Sequence, residues 1–357
     1  MRWQSGFRFV TTFRIDQFED RSLSATINDI AQKAGVSVST VARVLRGDVK
    51  GAQKRSAEKA AEILRLSREL GYKPDWRARA LSRGKTHTIG LLYSNPKWIF
   101  EDPMNEIAVS FTQSLQQHNY DLRLIPATSE EHWKDLVFGS AVDGLAMLQN
   151  IPKGTEDAIW KSGLPTILLN DKLNAEVPHV APDDIGGAYS ATRHLIGLGH
   201  KKIAFYVDET IRDHFSVQER EQGFREAIDE AGDSVEGDVW LRISSEDAIN
   251  RLLARHRPTA MLAYCHVEAL KITNAAWAHG LAIPTDLSLV AFNDMMMTKY
   301  MTPALTVVGY DLEDMGHRGA EMLVKRIGEP GEAALENVVL RPRLVIRGTT
   351  APPSSRA

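Results

Sequence analysis

Between Thr26 and Leu45 the apolar residues Ile27, Ile30, Ala31, Ala34, Val36, Val41, Val44 and Leu45 recur at helical spacing, interrupted at Gly35. This predicts two short helices joined by a tight turn. Thr26 with Asp29 three residues on makes a capping-box pattern, and Ser37 is placed to cap the second helix. A third helix is predicted from about Ser56 to Leu70 on Ala60, Ile63, Leu64, Leu66 and Leu70, stopped by Gly71 ahead of Pro74. The next segment, WRARALSRGKT over 76–86, is basic and carries too few apolar groups to hold a helix alone, so it reads as a linker.

After Thr88 the texture changes. Short apolar runs begin at 88, 120, 142, 165, 202, 238, 259, 287 and 305, with one more in the final LRPRLVIRG. Amphipathic stretches of helix length lie between them at about 103–118, 155–162, 184–198, 218–231, 246–256, 267–279 and 312–327. Such alternation predicts parallel sheets with helices on both faces. Ten strands exceed one ordinary sheet, so the expected core is α/β with two doubly wound lobes and a ligand cleft at the carboxyl ends of the strands. Residues 1–24 show neither period and read as a disordered arm, either an extra contact to a partner or an upstream translation start. The expected division is an arm (1–24), an all-α headpiece (25–75), a hinge or linker (76–87), a two-lobed core (88–350) and a Pro/Ser tail (351–357).

Charge sharpens this division. The 357 residues carry a net charge of -3, but residues 1–88 hold 18 Lys+Arg against 9 Asp+Glu, while the remainder holds 25 against 37. A basic segment on an acidic body points to a polyanionic partner for the first part and a separate task for the rest. The lone Cys265 excludes an internal disulfide and a cysteine metal cluster, which fits a reducing compartment. The opening MRWQSGFRFVTTFRIDQFEDRS lacks the apolar run of an export signal, and no stretch reaches about 18 uninterrupted apolar residues, so a cytoplasmic chain without a membrane partner is expected.

The chemistry of the headpiece lies in TINDIAQKAGVSVSTVARVL. A helix-turn-helix needs a small residue where the helices touch, a glycine able to turn left-handed, and a branched apolar residue locking the second helix. Ala31, Gly35 and Val41 stand at that spacing. The second helix of this motif enters the major groove, which makes Val38, Ser39 and Arg43 the base-reading candidates. Ser37, Thr40 and Arg46 are the phosphate-contact candidates, and Thr26 is a further DNA-binding candidate. Arg43 can address two acceptors on one guanine, worth roughly 1–3 kcal/mol of discrimination.

These residues resemble the LacI (lactose and purine repressor) family of bacterial transcription regulators. The headpiece string is similar to that family's signature, and GYKPDWRARALSRGKTHTIGLLY resembles its hinge and first core strand. The likeness continues in order through SGLPTILLN, DDIGGAYSATRHLIGLGHKKIAF, SVQEREQGFREAI, RPTAMLA, IPTDLSLVAFND, YMTPALTVV and LVIRGT, covering about residues 25–350. The resemblance implies a periplasmic-binding-protein-like core and a homodimer, or dimer of dimers, on a palindromic double-stranded operator. It also implies a hinge that becomes helical on DNA. Leu81 matches the family's minor-groove wedge, and Arg79 is the neighbouring hinge contact.

For the effector, the resemblance implies a small, carbohydrate-like molecule between the lobes. Arg220 matches an arginine that commonly bonds ligand hydroxyls or carboxylates; otherwise it would form a surface ion pair with Glu219 or Glu221. Asn293 and Asn170 stand where acids are usual, and Cys265 with His266 where Asn-Asp is usual, which favours a different sugar or a more anionic ligand than a neutral hexose. Ser94 completes the set, and Trp98 and Phe100 are placed either to stack on a sugar ring or to pack. Met295 to Met297 read as adaptable packing. The stretch from Gly47 to Gly71, with Lys50, Lys54, Arg55 and Lys59, is longer than the family's usual spacing and offers either extra phosphate contacts or a solvated loop.

Two rival classes remain. There is no Walker loop, GxSxG, HExxH or CxxC. SAEK at 56 and SRGK at 82 match SxxK only formally, and His194 and His200 are expected to cap or pack, so neither an enzyme nor a metal or cofactor is expected. A periplasmic-type solute-binding protein would explain the core and leave the basic headpiece without a use.

Overall fold

The computed structural model describes residues 25–45, 54–72, 84–94, 103–127, 132–148, 155–172, 177–211, 214–329 and 336–354. Its contacts divide the chain into two units, Met1–Arg83 and Gly84–Ala357.

The first unit holds α1 (Ile27–Ala34), α2 (Val38–Leu45) and α3 (Lys54–Glu69). Thr26 caps α1 in the expected capping box with Asp29. Gly35 turns the chain at φ 63°, the left-handed region that a side chain disfavours. Most of the residues chosen by helical spacing meet in one cluster, with Ile30, Ala31, Ala34, Val41 and Ile63 buried and Leu66 and Leu70 packed on them, whereas Leu64, adjacent to Ile63 on the helix, is exposed and Ala60 stays outside the cluster.

The second unit contains two six-stranded sheets among the described residues. In the first lobe the sheet order is β11-β5-β4-β3-β1-β2, made of β1 (Thr88–Tyr93), β2 (Asp121–Pro126), β3 (Gly144–Leu148), β4 (Thr166–Leu169), β5 (His179–Pro182) and β11 (Val338–Leu340). The second lobe has the order β12-β10-β9-β8-β6-β7, from β6 (Lys202–Asp208), β7 (Glu236–Ile243), β8 (Ala260–Ala263), β9 (Ser288–Phe292), β10 (Thr306–Gly309) and β12 (Arg343–Val345). Every pairing is parallel except β10 with β12. Buried apolar runs such as TILL in β4 and AMLA in β8 are covered on both faces, as parallel sheets require.

The helices of this unit are α4 (Met104–Gln117), α5 (His132–Phe138), α6 (Glu156–Ser162), α7 (Asp184–Gly197), α8 (Phe215–Ala231), α9 (Ser245–Leu252), α10 (His266–Ala278), α11 (Met296–Tyr300) and α12 (Leu312–Gly328). Three elements were not expected from the sequence. α5 and α11 are one or two turns long, too short for a period, and β5 is four residues hemmed by Pro178 and Pro182. The final apolar run, expected as one strand, is two strands on different sheets. Pro342 lies at the break, where it has no N–H to offer a ladder. The chain thus crosses between lobes three times, after β5, after β10 and after β11.

The close crossing of α4 and α12 sets the first lobe's frame. A Cβ on Gly316 would lie 2.4 Å from the Ile107 carbonyl oxygen and 2.7 Å from the Phe111 nitrogen, both backbone atoms that cannot yield. Gly316→Ala is expected to cost about 3 kcal/mol through this overpacking. The check is urea denaturation of the full chain: a lower midpoint at unchanged slope is expected for the core transition.

Candidate functional sites in the headpiece and the core

The headpiece presents the start of α2 to solvent. Ser37, Val38, Ser39 and Arg43 are all exposed, and Thr40 is half-buried. Val38 is exposed on this face. Ser37 Oγ accepts from the Thr40 backbone N–H at 3.2 Å and shares hydroxyl bonds with Ser39 and Thr40, so the cap and the contact candidates form one cluster. Arg43 makes no ion pair or hydrogen bond with the described residues, which leaves its fork open. Thr26 has a structural task as well: its N–H and hydroxyl bond Asp29, and these bonds hold the Asp29 carboxyl below its usual range. Arg46, Arg79, Leu81 and Lys50 lie outside the described residues.

In the core, Arg220 is buried on α8 among polar and aromatic partners. Its Nε donates to Asp184 Oδ1 at 2.8 Å and its Nη1 to the Tyr264 carbonyl at 2.5 Å. The guanidinium lies 3.9 Å from the Phe292 ring centroid and 4.5 Å from that of Tyr264, so it is held flat between two aromatic faces. The alternative reading, a surface ion pair with Glu219 or Glu221, does not form; the partner is the wholly buried Asp184. Burial works against both charges, and the Asp184 carboxylate beside it keeps Arg220 protonated. Gly223, one turn further on, makes the geometry feasible: a Cβ there would lie 2.1 Å from the Ile185 carbonyl, so only glycine lets α8 sit close enough to α7. Nη2 of Arg220 donates to no described residue.

A chain of hydrogen bonds crosses from one lobe to the other beside this pair. The Asn170 carbonyl at the end of β4 can only accept, so His214 Nε2 carries the proton that reaches it at 3.1 Å. Nδ1 then accepts from Ser216 Oγ at 2.6 Å, and Ser216 in turn accepts from the Tyr264 hydroxyl at 2.7 Å. Burial holds the His214 imidazole neutral, its pKa pulled down to about 3, with Arg220 and Lys172 adding to the effect. Burial pushes the Tyr264 hydroxyl up to about 12. Next to this chain Lys172 grips both oxygens of Glu219 at 2.6 and 2.8 Å and sits over the Phe215 ring. The two contacts join the ends of β4 and α8 across the lobes.

Asn293 and Cys265 directly follow Phe292 and Tyr264, the two rings against Arg220. Asn293 Nδ2 donates to His266 Nδ1 at 3.4 Å, and Cys265 precedes α10 with its N–H on the Glu268 carboxylate at 2.9 Å. Burial pushes the Cys265 thiol well up, so it is inert as a nucleophile. Asn170 and Asn293 both adopt left-handed backbone, φ 53° and 76°. Asparagine tolerates that region, which gives the two amides a local reason independent of any ligand. Ser94, at the end of β1, has a buried Oγ with no partner among the described residues. Trp98 and Phe100 lie outside them. Met295, just before α11, is buried against the first lobe's core as expected of packing, but Met296 and Met297 on α11 are exposed, at 72% and 42%. His194 and His200 pack as expected, with His200 Nε2 donating to the Ala351 carbonyl at 3.0 Å.

Sequence reasoning missed Asp184, His214, Ser216, Tyr264 and the Lys172–Glu219 pair. Asp184 had a usable signal, an acid in DDIGG at the start of a predicted helix; the others are joined only by the fold. Among the described residues there is no cluster of His, Cys, Asp and Glu that could hold a metal, and no helix long and apolar enough to cross a membrane.

Comparison with known proteins agrees with this geometry. Residues 26–75 match the model of bacterial regulatory proteins of the lacI family, and residues 192–350 match that of a periplasmic binding protein-like domain. The ribose operon repressor of Haemophilus influenzae is 30% identical over 339 residues, 90% of this chain and 98% of its own. The HTH-type transcriptional regulator DegA of Bacillus subtilis is 28% identical over 351 residues, 92% of this chain and 99% of its own. Among solved structures, a complex of the transcriptional regulator CelR with cellobiose is 27% identical at a TM-score of 0.65, covering 91% of this chain and 99% of that one. The lac repressor dimer bound to operator and an anti-inducer shares the fold at a TM-score of 0.76 and 22% identity, covering 92% of this chain and 99% of that one. The chain belongs to the LacI family of bacterial transcription regulators.

Proposed function

We propose that this chain represses transcription by binding the two halves of a palindromic operator as a dimer, under control of a carbohydrate-like ligand held between the lobes of its core. The carrying observation is the open start of α2, where Val38, Ser39 and Arg43 face solvent on a helix locked from behind by Val41. Val38, Ser39 and Arg43 read bases, while Thr26, Ser37, Thr40 and Arg46 position the helix on phosphates. Residues 25–75 act as the headpiece, 76–87 as a hinge in which Arg79 and Leu81 meet the minor groove, and 88–350 as the ligand-binding and dimerising core. The working compartment is the cytoplasm, where the operator lies.

Arg43→Ala is expected to weaken operator binding roughly 5- to 150-fold and to relax preference at one base pair per half-site. Fluorescence anisotropy on operators varied at each position checks this; uniform weakening with the preference intact would make Arg43 a phosphate contact instead.

In the cleft, Arg220 Nη2, Ser94 and Asn293 face the ligand, with Asn170 and Cys265 lining it and Trp98 and Phe100 as stacking partners. Ligand binding at this seam shifts the lobes between two arrangements and so alters headpiece spacing. A thermal-shift screen of neutral sugars, sugar acids and sugar phosphates is expected to favour an acidic sugar. Stabilisation by neutral sugars alone would contradict that preference.

A further inference from the structure

The chain enters the core at the amino ends of three neighbouring strands, β3, β1 and β2. One carboxylate grips it there. Asp143, the residue before β3, accepts at Oδ1 from the Thr86 N–H at 2.7 Å and the Thr86 hydroxyl at 2.8 Å, and at Oδ2 from the His87 N–H at 2.8 Å. Its own backbone N–H donates to the Thr88 carbonyl at 2.8 Å, so side chain and backbone both serve the incoming segment. From the other side the Asp121 N–H, at the start of β2, donates to the His87 carbonyl at 2.9 Å, and the His87 ring lies 5.6 Å from that of Tyr120. His87 takes left-handed backbone at φ 52°, uncommon for a residue with a side chain and kept here by bonds to both neighbouring strands.

We propose that Asp143 is a positioning residue for operator binding: it fixes where the hinge leaves the first lobe, and thereby which half-site spacing a dimer can bridge. This rests on the reading of the chain as a dimeric operator binder. Thr88 donates two 3.2 Å bonds to Thr86, its near neighbour, whereas Asp143, 57 residues on, ties Thr86 to a different strand. Without the carboxylate, Thr86 and the His87 N–H are released, and two residues of extended chain add up to about 7 Å of reach in each protomer. One base pair inserted between half-sites moves them apart by about 3.4 Å, which that slack can absorb. A looser tether also lowers the effective concentration of the second headpiece at its half-site and flattens its dependence on distance.

The position gives the clamp a second consequence. The same sheet carries, beyond the carboxyl end of β4, the Asn170 and Lys172 bonds to the second lobe. A rearrangement between the lobes therefore carries the exit of the hinge with it.

Fluorescence anisotropy on the full-length protein tests this, with the palindrome recovered by selection and with duplexes that have one base pair added or removed between its half-sites. Wild type is expected to bind the respaced duplexes at least about tenfold more weakly than the palindrome, and D143A to reduce that penalty to about threefold or less. Binding of a random-sequence duplex, which needs no fixed spacing, is expected to stay within about twofold of wild type. D143N keeps the side chain's shape and an acceptor for Thr86 but turns an amide donor toward the His87 N–H, so its penalty is expected to fall between the two. Hydrogen exchange at residues 84–88 is expected to quicken in both variants while β3 stays protected, which separates release of the clamp from loss of the fold. A spacing penalty equal to wild type in both variants overturns the proposal, as does unchanged exchange at 84–88. So does a uniform loss on every duplex, which would make Asp143 a stabilising group alone. Those three outcomes leave the operator reading standing; a wild type that retains no palindrome removes both.

Discussion

Arg220→Ala is expected to lower the stability of the core by about 3–5 kcal/mol and its melting temperature by about 10 °C, while abolishing stabilisation by the cleft ligand. Asp184 is wholly buried, and without Arg220 its carboxylate keeps only the Tyr310 hydroxyl. Its second oxygen, Oδ2, already has no hydrogen-bond partner. The loss is therefore mainly that of stranding a charge rather than of losing a pair's attraction. A second variant separates this from lost packing between Phe292 and Tyr264. D184N/R220A removes the stranded charge and is expected to regain more than half of the stability; recovery of none would assign the loss to packing. Differential scanning calorimetry with and without ligand measures both effects.

Acidification is expected to loosen the core well before its carboxylates titrate. The unfolded chain protonates His214 near pH 6.5, whereas the folded state, with the imidazole pulled down to about 3, excludes that proton. Between those values the unfolded state binds more protons, so stability falls as pH falls, by about 1.4 kcal/mol per unit. From pH 6.5 to 5 this amounts to about 2 kcal/mol. The physical reason is the relay: protonated Nδ1 would present a donor to Ser216, whose hydroxyl and N–H both point at it. Burial also lowers His179, His194 and His200, so the His214 share is read as the difference between wild type and His214→Gln in urea titrations across this range. Parallel pH profiles for the two proteins would contradict it.

These two sites differ in how much of them a reader of the sequence can reach. The headpiece was legible because its contacts are local: Ile30, Ala31, Ala34 and Val41 lie within three turns of chain and meet as the helical period says. Arg220 was legible as a functional residue but not its partner, since Asp184 stands 36 residues earlier and is brought to it by the tight α7–α8 contact at Gly223. The relay was illegible, for Ser216 and Tyr264 lie 48 residues apart and Asn170 and His214 lie 44 apart on opposite lobes. Even the amides at 170 and 293, taken as a sign of ligand chemistry, prove to sit where the backbone itself favours asparagine. Periodicity reports which face of an element is covered; it carries no information on which distant side chain covers it.

The central claim, a ligand-responsive dimer reading an operator, is tested most directly by selecting duplexes from a random pool with the full-length protein at near-physiological salt and sequencing what it retains. The account predicts a palindrome with a deformable central step beneath Leu81 and an affinity that falls steeply with salt as counterions are released. Recovery of no motif, with weak retention indifferent to salt, would contradict it and leave a solute-binding core with no operator to govern.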